Sequence, residues 1–158
     1  MAQGGYIAGD VRVAYASGAS PFTWKKVEGL MDLTAPFLQT KKIDTTRYSS
    51  NRLMTNIPGL DEVVDPVLKL IRDADVVTSP NQNALFGIKN ARTTLRWRFE
   101  IASQDDPSIN LFEAYEGDFR VSTLKETVNV GALNNLDVTL IFSGNDFTHY
   151  ASQASEIG

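Results

Sequence analysis

A chain of 158 residues, 42% hydrophobic and 22% charged, has the composition of one soluble globular domain, long enough to bury roughly 70% of its unfolded surface. The net charge of −4 weighs against a nucleic-acid groove, which needs a basic patch, and the lack of cysteine excludes disulfides and thiolate metal sites. The start, MAQGGYIAGD, has neither the basic nor the apolar region of a secretion signal, and no apolar run approaches the ~20 residues of a membrane span; the expectation is a protein folded in a cytoplasm, with no membrane partner.

Residues 1–9 carry Gly4, Gly5 and Gly9 and offer little to pack beyond Tyr6 and Ile7. That is the composition of an N-terminal arm, either a free end or one ordered by a neighbouring subunit. Val11, Val13 and Tyr15 alternate with Arg12 and Ala14, which predicts the first strand. A turn-rich break follows at 17–21. Residues 24–33 predict a second strand, with Val27, Gly29, Met31 and Leu33 on one face and Lys26, Glu28 and Asp32 on the other, interrupted by Leu30. Pro36 ends that run, since proline cannot donate to a ladder, and 38–46 resumes an extended pattern.

Residues 47–61, RYSSNRLMTNIPGLD, have no clean period yet carry Tyr48, Leu53, Met54, Ile57 and Leu60. Loops this long inside compact domains are uncommon and are usually functional or disordered, and a disordered one is more polar than this. The reading is a long assembly loop whose apolar residues are meant for another chain, against the plainer alternative of a loop packed on its own domain. Pro58-Gly59 predicts a type II turn closing it. Residues 63–73 have a strand-like core, with Leu68 and Leu70 on one face and Val67 and Ile71 around Lys69 on the other; a short amphipathic helix fits the same pattern.

The clearest local signal is at 79–103. Ser79 as N-cap, Pro80 at the first helical position and Gln82 as a capping-box partner predict a helix start. Ala84, Leu85, Ile88 and Ala91 give it one apolar stripe, and Asn90 a stop. The period then changes to two: Leu95, Trp97, Phe99 and Ile101 point one way, Arg96, Arg98 and Glu100 the other. A polar turn is expected at 104–108. Strands are expected at 109–115 and 118–124, joined around Glu116-Gly117, with extended chain from Lys125 broken at Gly131-Ala132. A last strand is expected at 136–143, with Leu136, Val138, Leu140 and Phe142 on one face. Small polar residues from 145 to 158 read as a C-terminal tail.

No catalytic constellation emerges. His149 falls in that tail, far from what a triad or dyad needs. Asp105-Asp106 lacks the calcium-loop spacing, and Gly4, Gly5 and Gly9 open no phosphate loop. Arg92, Arg96 and Arg98 read as a solvated face or as ion pairs with Glu100 and neighbouring strands. Glu113, Glu116 and Asp118 read as surface carboxylates rather than a glycosidase pair. The expectation is no enzyme, no cofactor and no metal.

Trp24-Lys25-Lys26-Val27-Glu28-Gly29-Leu30 leads to Asp32-Leu33-Thr34. Ile57-Pro58-Gly59-Leu60-Asp61 closes the long loop, and a strand from Val138 ends in Ser143-Gly144. In this order and spacing, over roughly residues 6–147, the chain resembles the tail tube (major tail) proteins of long-tailed bacteriophages. The resemblance implies a mainly β, antiparallel β-sandwich or barrel flanked by one α-helix. It implies rings of six that stack into a hollow tube through which the genome leaves the virion, with DNA passing without specific binding. It also implies further partners: tail terminator, tape measure and distal tail proteins. The type VI secretion needle and contractile-tail tubes share the fold. On this reading Tyr6, Ile7, Arg47, Tyr48, Leu53, Met54, Ile57 and Leu60 are the inter-subunit residues. The alternatives are a tail-terminator or type VI needle-like ring, or a monomeric β-sandwich binding module. The module would want exposed aromatics, whereas Trp24 and Trp97 sit in strand patterns that read as buried.

Overall fold

The computed structural model describes residues 10–44, 56–102 and 111–157. Tyr6, Ile7, Arg47, Tyr48, Leu53, Met54, the side chain of Ile57 and the 104–108 turn lie outside these.

The helix α1 spans Pro80–Ala91, with Ser79 at the N-cap and proline in the first turn, as its sequence predicts. Its capping is tertiary rather than local. Ser79 makes no side-chain cap bond, and its Oγ donates to Asp73 Oδ2 at 2.9 Å. The free N–H groups of Asn81 and Gln82 donate instead to the Glu28 carboxylate, at 3.2 and 2.8 Å, an acid where the helix dipole favours one. Gln82 forms no capping box. It is buried, its Nε2 donating to the carbonyls of Glu28 and Ile71 and its Oε1 accepting from Asp73 N. The helix closes at Arg92, in the left-handed conformation (φ 54°), rather than at Asn90. Leu85, Phe86 and Ile88 face the core, whereas Ala84 and Ala91 of the expected stripe are exposed.

The strands are β1 (Val11–Ala16), β2 (Lys25–Lys26), β3 (Leu30–Thr34), β4 (Phe37–Asp44), β5 (Asn56–Val64), β6 (Val67–Ile71), β7 (Leu95–Ala102), β8 (Phe112–Thr127) and β9 (Asn135–Gln153). Seven of them form one sheet in the order β2-β1-β7-β8-β9-β6-β3, and β4 and β5 pair as a separate hairpin. Every pairing is antiparallel. The stretch between β2 and β3 is bonded to both ends of the large sheet: Val27 N donates to Val13 O of β1, and Gly29 O accepts from Ile71 N of β6. This bridge rolls the sheet toward a barrel. The fold class read from the sequence is therefore the one observed.

Four element readings are corrected. Residues 24–33 are two strands, because the chain turns at Gly29 (φ +79°) to reach β6. A register shift at Met31 then lets Leu30 and Leu33 both pack on the core while Met31 is exposed. Glu116-Gly117 joins no pair of strands but lies inside β8, where Gly117 is opposite Trp97 and Phe147. The polar tail at 145–158 is largely strand: β9 runs to Gln153, since β8 offers it a partner as far as Phe112. Pro58-Gly59 makes no turn. Both residues are in β5, and Pro58 is opposite Lys42 beside a register shift, a place where a missing N–H is tolerated.

The core lies on one face of the rolled sheet under α1: Val13, Tyr15, Val27, Leu68, Leu70, Leu85, Leu95, Trp97, Phe99, Phe119, Val121, Leu136, Val138 and Leu140. Ile101 and Phe142, expected with them, are only partly buried. Tyr15 contributes a titrating group. Its hydroxyl donates to Asn81 O at 3.0 Å, and burial, with the charge of Glu28 second, pushes its pKa from 10.0 up to about 12. A phenol that resists ionisation only when folded leaves stability intact below the unfolded value near 10 and erodes it as pH climbs toward 12. The loss is at most about 3 kcal/mol. Urea melts between pH 9 and 12 should show this alkaline limb, and Tyr15→Phe should flatten it.

Candidate assembly surface

The β4–β5 hairpin leaves the large sheet at Pro36 and returns at Pro66, both buried, where Pro66 O accepts from Leu140 N at 3.1 Å. Two prolines fix φ at the points of departure. Beyond them the hairpin is held by its own ladder, from Phe37↔Val64 to Asp44↔Asn56. Cross-strand polar pairs add to it, Thr40 Oγ1 donating to Asp61 Oδ1 and Lys41 Nζ lying 3.2 Å from Glu62. Val63 packs on the core, but four other apolar side chains of the hairpin are left largely uncovered. Leu60 is 85% exposed and Leu38 58%, with Phe37 and Ile43 about half exposed. Between hairpin and barrel runs an open groove of about 540 Å³ lined by Leu38, Val63, Ile141, Phe142 and Phe147 with Asp61, Glu62 and Asp65. Exposed apolar side chains on one element are a feature of surfaces that meet other molecules.

Of the inter-subunit residues expected from sequence, Leu60 is the one whose side chain is described, and it faces solvent. Ile57 pairs with Ile43 in the ladder. Sequence reasoning missed Phe37, which falls in no predicted element, and Leu38 and Ile43, which read as an ordinary strand; the available signal was the Phe37-Leu38 pair directly after Pro36. It also missed an apolar group at the opposite end of the sheet. There the β8–β9 turn carries Val128, Val130 and Leu133, and the chain entering α1 carries Val76 and Val77, all well exposed. That turn is held by Asn129 N donating to Asn134 Oδ1 and by Arg72 N donating to Asn134 O, both at 2.9 Å. The sheet ends are open as well. Among the described residues β3 pairs with β6 alone and β2 with β1 alone, and a cleft of about 470 Å³ lies between Leu30, Met31, Asp32 and Leu33 of β3 and Val11 and Ile101 of β1 and β7.

Arg96 and Arg98, with the acids around them, are tied into ion pairs. Arg96 is bonded to Glu116 at 3.0 Å and lies near Asp146 and Asp118. Arg98 is fully buried between Glu100 at 2.7 Å and Glu116 at 2.8 Å. Of the two readings open for Arg92, Arg96 and Arg98, ion pairs hold for Arg96 and Arg98, while Arg92 at the end of α1 is exposed. Burial works to lower the pKa of both guanidiniums, and the hydrogen bonds and charges of their carboxylate partners more than reverse it. Trp24, read as buried in a strand, is half-buried just before β2 and packs on Phe22. His149 belongs to β9 rather than to a tail. It stacks on Tyr115 at 4.6 Å, with Nε2 3.3 Å from the Glu113 carboxylate that accepts the Tyr115 hydroxyl. Glu113 therefore faces away from Glu116, and Glu116 and Asp118 are neutralised by arginine, so the three make no acid–base pair. Among the described residues no cluster of His, Cys, Asp or Glu could hold a metal, and no helix is long and apolar enough to cross a membrane.

No family profile matches the sequence, and no curated protein matches it. Solved structures do. The tail of an empty gene transfer agent particle, refined helically with C6 symmetry, superposes with a TM-score of 0.63 at 9% identity, over 89% of this chain and 96% of that one. The SPP1 tail tube gives 0.62 at 9%, over 95% and 80%. The PVC sheath/tube terminator of an extracellular contractile injection system, in its extended state, gives 0.67 at 11%, over 96% and 100%. These are structural parts of tails and injection systems. What such low identities establish is the fold, and the fold of this chain is that of tail tube proteins.

Proposed function

We propose that copies of this chain close into hexameric rings that stack into the hollow tail tube of a phage-like virion, through which DNA leaves. The observation that carries this reading is the projecting β4–β5 hairpin with its uncovered Phe37, Leu38, Ile43 and Leu60 on a tail-tube fold. A head-to-tail contact between identical copies either closes a ring or grows a filament, and exposed edges such as β2 and β3 are natural places for a neighbour's strand. The net charge of −4 suits a bore that lets DNA pass without holding it. Terminator, tape measure and distal tail proteins are the further partners, and assembly takes place in the host cytoplasm. The likeness to a sheath/tube terminator, with a TM-score of 0.67, favours a second reading in which one ring caps a tube.

Negative-stain microscopy of the purified chain at rising concentration tests both. Long hollow tubes are the expected result, single rings that never elongate would establish the terminator reading, and a persistent monomer would sink both. Within this proposal, residues 47–61 contact the adjacent subunit through Tyr48, Leu53, Met54, Ile57 and Leu60, with Arg47 beside them, and the arm adds Tyr6 and Ile7. Interface energy concentrates in a few large side chains. The double change Leu53→Ser and Met54→Ser should therefore abolish tubes while shifting the melting temperature of the monomer by no more than a degree or two. A variant that melts several degrees lower yet still forms tubes would place those residues in its own core.

A further inference from the structure

The face of the sheet opposite the core holds a charge cluster covered by residues 153–157. Arg98 and Glu100 are both 0% exposed, which is rare for either residue unless every polar atom has a partner. Arg98 is bonded to Glu100 through Nε and to Glu116 through Nη1. The remaining partners come from beyond β8. Gln153 Oε1 accepts from Arg98 Nη2. Ser155 Oγ donates to Glu100 Oε1 at 2.7 Å, and Glu156 N donates to Glu100 Oε2 at 2.9 Å. Ser155 also accepts from Arg12 Nη1 at 3.1 Å, tying β1 into the same cluster, and the Glu156 carboxylate lies 3.7 Å from Arg98.

We propose that residues 154–157 are a detachable clasp, whose seating keeps the Arg98–Glu100 pair dry and locks β1, β7 and β9 together on this face. The clasp brings little apolar area of its own: Ala154 and Glu156 are exposed, and Ser155 and Ile157 half-buried. It is held mainly by hydrogen bonds to charged groups. Those bonds are strong while water is excluded and weak once it enters. Segments with few buried apolar contacts open locally at less than the global unfolding free energy. Opening here admits water to a buried ion pair without disturbing the core on the other face. It removes two of the donors that Glu100 has in the closed state, leaving Arg98 Nε. The clasp therefore sets whether this side of the sheet is a closed wall or an open charged strip of Arg12, Arg98, Glu100 and Glu116.

Phenylglyoxal labelling of Arg98, read by peptide mass spectrometry, reports the clasp directly, and amide exchange of β6 and β7 reports its reach. In the full chain Arg98 should resist labelling. In a chain ending at Gln153, labelling of Arg98 should accelerate about 10-fold or more, and β7 amides should exchange faster while β6 amides keep their rate. Two full-length variants serve if the shortened chain does not fold. Glu156→Pro removes the backbone donor to Glu100 and should accelerate labelling, whereas Glu156→Ala keeps it and should do so much less. An Arg98 as protected in the shortened chain or in Glu156→Pro as in the parent would overturn the proposal. So would β6 and β7 exchanging in step, because the terminus would then be part of the global fold rather than a local clasp.

Discussion

Phe99→Ala is expected to destabilise the fold by about 3–5 kcal/mol, the range for emptying a fully buried phenylalanine site. Phe99 is 0% exposed and lies between Trp97, stacked at 6.4 Å, and Phe119, edge-on at 5.8 Å. The rolled sheet holds those neighbours from different strands and cannot collapse onto the hole. In a chain of this size the loss corresponds to a fall in melting temperature of roughly 6–20 °C, measurable by calorimetry. A fall of a degree or less would mean that the side chain has no such packed site. Trp97 is the informative companion. It is equally buried, but its indole Nε1 has no hydrogen-bond partner, an omission costing about 1–3 kcal/mol. Trp97→Phe should therefore be far milder than its loss of volume suggests.

Gly29→Ala should be strongly destabilising, at roughly 2–4 kcal/mol. Left-handed backbone costs alanine about 1–2 kcal/mol. A Cβ at Gly29 would in addition sit 2.7 Å from Ile71 O and 3.1 Å from Gln82 Nε2, so the bridge between the sheet ends must shift. Gly131 separates these two contributions. It has the same φ of +79° but open space where a Cβ would go, so Gly131→Ala should pay the backbone strain alone. Parallel denaturant melts of the two variants check this. Equal losses would show that the close approach to Ile71 carries no penalty and that the bridge is slack.

Much of the fold was legible because its signals are local or strictly periodic. Ser79-Pro80 started the helix, and Leu95, Trp97, Phe99 and Ile101 marked the inward face of β7. Leu68 and Leu70, and Leu136, Val138 and Leu140, marked the inward faces of β6 and β9, because a strand with one buried face must alternate. The same alternation could not say that β7 is covered on both faces. Arg98 and Glu100 read equally as a solvated face or as an ion pair, since burial of charge depends on partners distant in sequence: Glu116, Gln153, Ser155 and Glu156. Gln82 and Glu28 are a parallel case, where a capping box three residues long gave way to a contact 54 residues apart. Strand ends were misplaced for a related reason. A strand stops where its partner stops, so β9 continued past Gly144 beside β8 and β5 passed through Pro58-Gly59. The sequence by itself determined a mainly β chain with one helix and most of its core, through spacing and composition, and the resemblance added the sandwich or barrel. The exposure of Phe37, Leu38 and Ile43, the bridge at Gly29 and the buried charge cluster were decided only by the tertiary structure, because each depends on which distant residues fail or manage to cover a given side chain.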